Sequence, residues 1–288
     1  MDETKYGFWL PMDVSTHGSQ IDSLMSTVHW FMLLLFVGWG IYFVYVLAKF
    51  RARAGHTAQY APIKASFSKY IEGGVVVFEA FLLFGLSSPI WARYKNSPPK
   101  PGEALEIHVI AQQFSWNIHY AGKDGKFGRT APEFVSSDNL IGLDPNDPDG
   151  KDDIVTVNQL HFPVHKPVIV TVSSKDVIHA FNIPALRVKQ DTVPGARIPV
   201  WFEATETGHF ELACAQLCGN SHYNMRADVL IDTPADYDKF IAEYTPAVAA
   251  TPSPTPTVQG TPGAPGATGG TTQAPPAPQK QVTEKPQH

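Results

Sequence analysis

Cysteine is nearly absent from this chain: Cys214 and Cys218 are the only two in 288 residues. Two thiols exclude a disulfide-rich scaffold and a four-cysteine zinc site, and no CxxCH segment is present to attach a c-type haem covalently. Charge is missing from one long window. Residues 28–48, VHWFMLLLFVGWGIYFVYVLA, run for 21 positions without a formal charge. Aromatic residues are missing after Thr245, where ten of the 25 prolines lie. The mean hydropathy of −0.12 therefore averages segments of opposite character.

The uncharged window is long enough for a helix to cross a bilayer, which takes about 20 apolar residues. Its apolar character all round argues against a buried helix of a soluble protein. It begins late, lacks a basic leader and exceeds the usual core of a signal peptide, so it is expected to stay in the mature chain. A second span is predicted over residues 71–91, IEGGVVVFEAFLLFGLSSPIW, with Glu72 and Glu79 inside it. Ionisable groups in a span normally face protein or water, which implies a partner subunit beside this helix. Between the spans, Lys49, Arg51, Arg53, Lys64 and Lys69 occur with no acid, whereas residues 1–24 hold four acids and one lysine. The positive-inside rule places the short basic loop in the cytoplasm and both flanks outside.

Residues 101–245 read as a β domain. Runs such as IHVIA, SWNIHY, PVIVTVSS, IPVWFEA, HFELACA and ADVLI alternate with turn signals, the pattern of a sandwich or barrel. A polar insertion at 129–155 contains DPNDPDGKDD, which partly evokes a calcium loop. Proline stands where the first ligand of such a loop belongs, so a solvated surface loop is expected. The tail, 246–288, lacks hydrophobic periodicity and is expected to be disordered.

The segment richest in chemistry is CAQLCGNSHYNM, with His179 upstream in DVIHAFNIP. Cys214, Cys218, His222 and Met225 fall within 12 residues, in a turn between two strand-like runs. A disulfide is conceivable across this spacing, but leaves His179, His222 and Met225 without a role. A Cys2His2 zinc site uses four of the five groups. Thiolate, imidazole and thioether together suit copper, and two thiols favour a thiolate-bridged copper pair over a mononuclear site.

These motifs, DVIHAFNIPALRVKQDTVPG followed by CAQLCGNSHYNM and preceded by a two-span hairpin, resemble subunit II of the haem-copper cytochrome c oxidases over about residues 20–245. The resemblance implies an α+β membrane protein: a transmembrane helical hairpin (25–93) after an external N-terminal segment (1–24), then an all-β, cupredoxin-like Greek-key domain (94–245). It implies a binuclear copper centre, CuA. Cys214 and Cys218 bridge two coppers, His179 and Met225 complete one, and His222 with the backbone carbonyl of Gln216 completes the other. Such a unit accepts electrons from a periplasmic cytochrome c or similar donor and passes them to haem in subunit I, where oxygen is reduced with proton pumping. Subunit I, and a subunit III, are the implied partners in a bacterial-type inner membrane, with haems only in partner subunits and no nucleic acid. No oxygen-reducing activity is expected from this chain alone.

Some positions depart from the family pattern. Gln216 stands where many members have a magnesium-binding Glu, which makes an interface magnesium doubtful. Phe114 replaces the tryptophan that typically receives electrons, whereas Trp116 matches the second tryptophan. Glu72 lines up with the mouth of a proton pathway, and Lys189 and Asp191 match positions on a loop facing subunit I, or form a local ion pair. Residues 93–245 carry 14 Lys and Arg against 20 Asp and Glu, a balance that would steer a basic donor. The competing reading is a membrane-tethered copper-binding or copper-delivery protein without an oxidase partner. A copper-free quinol-oxidase subunit does not explain five retained ligand side chains.

Overall fold

The computed structural model describes residues 10–55, 57, 60, 66–100 and 102–244. The 246–288 tail and Lys64 of the basic loop fall outside them.

Helix α1 (Gly18–Lys49) is 32 residues long and starts well before the uncharged window. At 1.5 Å per residue it extends about 48 Å, more than the roughly 30 Å of a hydrocarbon core, so its first turns stand clear of the apolar stretch. The second span is one continuous helix from Phe67 to Asn96. It runs as α2 (Phe67–Ala80), a π-helical stretch (Phe81–Ser87) and α3 (Ser88–Asn96). The widened turn immediately precedes Pro89, which has no N–H to give and whose ring crowds the preceding turn. There the Ser88 hydroxyl donates to the Leu83 carbonyl at 2.9 Å. The hairpin packs through Phe31 against Phe78, ring centroids 4.5 Å apart, and through buried Leu82. Glu72 and Glu79 are exposed on α2, seven residues apart and so on one face.

The β domain contains two five-stranded sheets. One is ordered β3 (Ile154–Val157), β2 (Ser115–Tyr120), β1 (Leu105–Gln112), β5 (Pro167–Ser174), β8 (Ile198–Glu203). The other is ordered β4 (Gln159–Pro163), β10 (Arg226–Asp232), β9 (Gly208–Cys214), β6 (His179–Ile183), β7 (Val188–Thr192). Strands β1 and β5 pair in parallel, as do β4 and β10, and the other pairs are antiparallel. This is the sandwich that strict alternation builds: Val168, Val170 and Val172 of β5 turn inward to meet Trp116, Phe162, Phe181, Phe202 and Leu212. Two long apolar helices followed by this cupredoxin-like sandwich make the chain an α+β membrane protein.

Three local features differ from the sequence expectation. Residues 14–16 belong to the β domain: Val14 is fully buried in its core and Ser15 bridges Ala204. The stretch after β10 is helical, α4 (Pro234–Glu243), with the Thr233 side chain accepting from the Asp236 N–H as its cap and Phe240 stacked on His161. The insertion is a folded cover with buried Ile141 and Leu143. Its aspartates accept from backbone amides: Asp147 from Arg129 and Asp149, Asp152 from Lys123 and Asp124, Asp153 from Gly128. Asp144 pairs with the Arg129 guanidinium. Asn117 and His119 lie between the inward-facing residues of β2 and are buried as fully as they are, and Asp153 of the insertion accepts from the His119 ring at 2.6 Å.

Candidate metal centre

The site lies where β6, β9 and the β9–β10 connection meet. Backbone pairing pins both ends of that connection: Cys214 N–H donates to the Met225 carbonyl at 3.0 Å, and Ala215 N–H donates to the Ala180 carbonyl at 3.1 Å. The intervening residues must loop out and return within one strand spacing, so a 12-residue motif becomes a closed cup. His179 opens β6 beside it.

All the side chains expected as ligands come together. The two sulfurs lie 3.7 Å apart. Cys214 Sγ is 3.9 Å from His179 Nδ1 and 3.2 Å from the Gln216 carbonyl oxygen. Cys218 Sγ is 3.5 Å from His222 Nδ1 and 3.7 Å from Met225 Sδ. Cys214 thus has His179 and the Gln216 carbonyl beside it, and Cys218 has His222 and Met225. His179, Cys214, Cys218 and Met225 are buried, whereas the Gln216 side chain points into solvent and only its carbonyl faces the cup.

The surroundings fit a metal. His179 Nε2 donates to Asp176 Oδ1 at 2.8 Å, which leaves the Nδ1 lone pair directed at the sulfurs. A carboxylate behind a histidine in this way fixes its tautomer and raises its basicity as a ligand. Burial, then the neighbouring Cys214 thiol, pushes the Cys218 thiol up to about 12. Two crowded thiols in so dry a place lose their protons when a cation takes over the charge.

Sequence reasoning missed three supporting residues. Asp176 sits three residues before His179, a spacing that carries no signal by itself. Gln113 ties the two sides of the cup: its backbone N–H donates to Asp176 Oδ2 at 2.7 Å and its side-chain amide donates to the Cys218 carbonyl at 2.6 Å. Gly219 has φ +137°, and a Cβ there would lie 2.7 Å from Gln113 Nε2 and 2.9 Å from Phe114 Cζ. Gly219 is the one glycine of the cup, and its missing Cβ permits this approach.

The remaining expected residues occupy distinct places. Phe114 is half-buried and lies over Gly219. Trp116 is fully buried, edge-on to His179 with ring centroids 6.2 Å apart, so it is an inner neighbour of the site and not part of its surface. Leu217 and Tyr223 project from the cup at 80% and 88% exposure, an apolar pair of the kind that marks a partner surface. Lys189 and Asp191 sit on strand β7, at the edge of its sheet, both facing outward. Neither forms an ion pair among the described residues.

A family model described as the periplasmic domain of cytochrome c oxidase subunit II matches residues 105–231. The alternative cytochrome c oxidase subunit 2 of Bradyrhizobium diazoefficiens is 33% identical over 238 residues, 82% of this chain and 83% of that one. A cytochrome c oxidase subunit 2 of Synechocystis is 42% identical over 89 residues, 31% of this chain and 27% of the relative. The solved periplasmic domain of subunit II of the Bradyrhizobium japonicum cytochrome oxidase is 30% identical, covers 51% of this chain and 96% of its own, and has a TM-score of 0.38. With two membrane-length helices, this sandwich and a cysteine, histidine and methionine cup, the chain belongs to the cytochrome c oxidase subunit II family.

Proposed function

We propose that this chain is the electron-entry subunit of a terminal haem-copper oxidase, taking electrons from a cytochrome c or similar donor outside the membrane and handing them to haem in subunit I. The observation that carries the reading is the convergence of two cysteine sulfurs, two histidine Nδ1 atoms, a methionine sulfur and the Gln216 carbonyl. Two copper ions held by these donors would share one electron across the bridging thiolates. The chain's own contribution is rigidity and exclusion. Asp176 holds the His179 ring, Gln113 holds the Cys218 carbonyl, and the backbone ladder closes the cup, so the donors are already placed before and after an electron passes. Buried Trp116, Phe181 and Met225 keep water from the inner side. With every donor supplied by protein, the cup has no open position for a substrate.

The other roles fit the same reading. The uncharged stretch from Cys214 to Met225, with Leu217 and Tyr223 projecting from it, offers a contact face for the donor or for subunit I, with Phe114 against Gly219 beside that face and Trp116 behind it against His179. Lys189 and Asp191, on an open sheet edge, suit a contact with subunit I. Glu72 and Glu79 on one face of α2 call for a protein neighbour in the membrane, with Glu72 at the loop end where a proton pathway would begin. The basic loop sets that end in the cytoplasm and the β domain outside a bacterial-type inner membrane. Gln216 supplies no carboxylate for an interface magnesium.

Because Val14 is part of the β core, the test uses the full chain in detergent. Copper loading is expected to give two coppers per chain and an EPR signal of one electron shared by both. One zinc per chain and no colour refutes the reading. The burial of the donors also separates an electron carrier from a copper-delivery protein: a mild chelator should fail to strip the metal from the former.

A further inference from the structure

The turn between β6 and β7 contains an arginine in an unusual backbone state. Arg187 has φ 54° and ψ 31°, the left-handed region where a Cβ is crowded and glycine is the default. Such a conformation persists where the surroundings hold it in place. Here they do. Arg187 Nε donates to Asp22 Oδ1 at 2.8 Å and Nη2 donates to Asp22 Oδ2 at 2.9 Å, the bidentate fork in which an arginine grips a carboxylate best. Nη2 also donates to the Pro11 carbonyl at 2.8 Å, and Nη1 to the Pro184 carbonyl at 2.6 Å. The Arg187 side chain is 8% exposed.

Asp22 lies in the second turn of α1, and Pro11 precedes the segment that enters the β domain. One side chain therefore holds both flanks of the chain's entry into the sandwich. Between those flanks the backbone joins in: Val14 N–H donates to Ala185 O, Thr16 N–H to Glu203 O and Thr205 N–H to Val14 O. At the second membrane helix the junction is different, with Tyr94 stacked on Trp201 at 5.0 Å and Trp201 Nε1 donating to the Tyr94 carbonyl.

The position of Arg187 along the β6–β7 hairpin gives the grip a consequence for the metal site. His179 pairs with Thr192 at one end of the hairpin, and Ile183 pairs with Val188 at the other, next to Arg187. Four residue steps of strand, about 13 Å, separate the ligand end from the arginine end. A hydrogen-bonded hairpin of this length moves as a unit. We propose that Arg187 is a positioning residue: it fastens the His179 hairpin to the first membrane helix and so sets where the metal cup stands relative to the membrane-embedded partner. The consequence for electron transfer rests on the function proposed above; the fastening itself does not.

The test uses the full chain, first alone and then in its assembled oxidase, with Arg187→Gly, Asp22→Asn and the double variant. Glycine relieves the backbone and removes only the grip, so a general loss of fold is not the expected result. Hydrogen exchange at the amides of Val14, Thr16 and Thr205 should quicken by about tenfold or more, the factor that corresponds to 1.4 kcal/mol, while amides of β1, β2 and β10 keep their protection. The double variant should match either single one, because both remove the same interaction. In the oxidase, transfer from the copper site to haem should slow while the copper EPR signal is unchanged. Unchanged exchange at the three amides, or faster exchange throughout the sandwich, overturns the fastening role. Faster local exchange with an unaltered transfer rate overturns the positioning role. The exchange experiment needs no metal, so a wild-type chain that holds no copper pair refutes the copper reading while the fastening is still decided.

Discussion

Replacing Gly219 with alanine tests the cup at its tightest point. At φ +137° a side chain is strained, and the added Cβ would meet Gln113 Nε2 at 2.7 Å and Phe114 Cζ and Cε1 at 2.9 and 3.0 Å. Gln113 cannot yield freely, because that same amide donates to the Cys218 carbonyl at 2.6 Å. The left-handed backbone costs about 1–2 kcal/mol and crowding in a packed site about 1–3 kcal/mol, so the sum is about 2–5 kcal/mol. At roughly 2–4 °C per kcal/mol for a domain of this size, the melting temperature should fall by about 4–20 °C. Metal uptake should weaken as well, by about 10–100-fold, the usual effect of disturbing the groups behind the ligands. Gly195→Ala is the control: Gly195 also has a positive φ, +77°, but its Cβ would have nothing within 4 Å. That variant should show the backbone cost alone and bind metal normally. Differential scanning calorimetry and a copper titration of the full chain measure both. A Gly219→Ala protein that melts within about 1 °C of the parent and loads copper equally well refutes the reasoning.

Asp176→Asn keeps the size of the side chain behind His179 but removes its charge; copper affinity should fall by about 10–100-fold with little change in the melting temperature of the unloaded chain, and equal affinity in a competition titration would show that the carboxylate does not tune the ligand. His108 makes stability depend on pH. Burial first, then His119 and Arg197, holds it down to about 4 against the ordinary 6.5, and Phe127 stacks on its ring at 3.8 Å. Between those values the unfolded chain binds a proton that the folded chain refuses, so stability is full above pH 6.5 and falls by on the order of 1–3 kcal/mol as pH drops toward 4. His108→Gln should flatten that slope in denaturant titrations at pH 7 and pH 5; an unchanged slope sinks the assignment.

The sequence made the metal cup legible because its donors are local. Cys214, Cys218, His222 and Met225 occupy one turn between two strands, and soft ligands at such spacing have few other uses. The spans were legible for the same reason, since an uninterrupted apolar run needs no distant partner to be recognised. The insertion was not. Its acidic composition suggests solvent, yet Asp144 and Asp153 are buried as acceptors for Arg129, Gly128 and His119, pairings that composition does not reveal. Strand β7, VKQDT, reads as a polar loop and forms because β6 supplies its ladder.

By itself, then, the amino-acid sequence determined the two membrane-length helices, the sandwich and the cluster Cys214, Cys218, His222 and Met225, all of which depend on periodicity or on spacing within a dozen residues. Tertiary structure alone decided what supports them. Gln113 reaches the Cys218 carbonyl across 105 positions, and Arg187 reaches Asp22 across 165. The physical reason is range: hydrophobic pattern and metal-ligand chemistry are properties of short segments, whereas a hydrogen bond that orients a ligand or a domain exists only once folding has brought remote donors and acceptors to within about 3 Å.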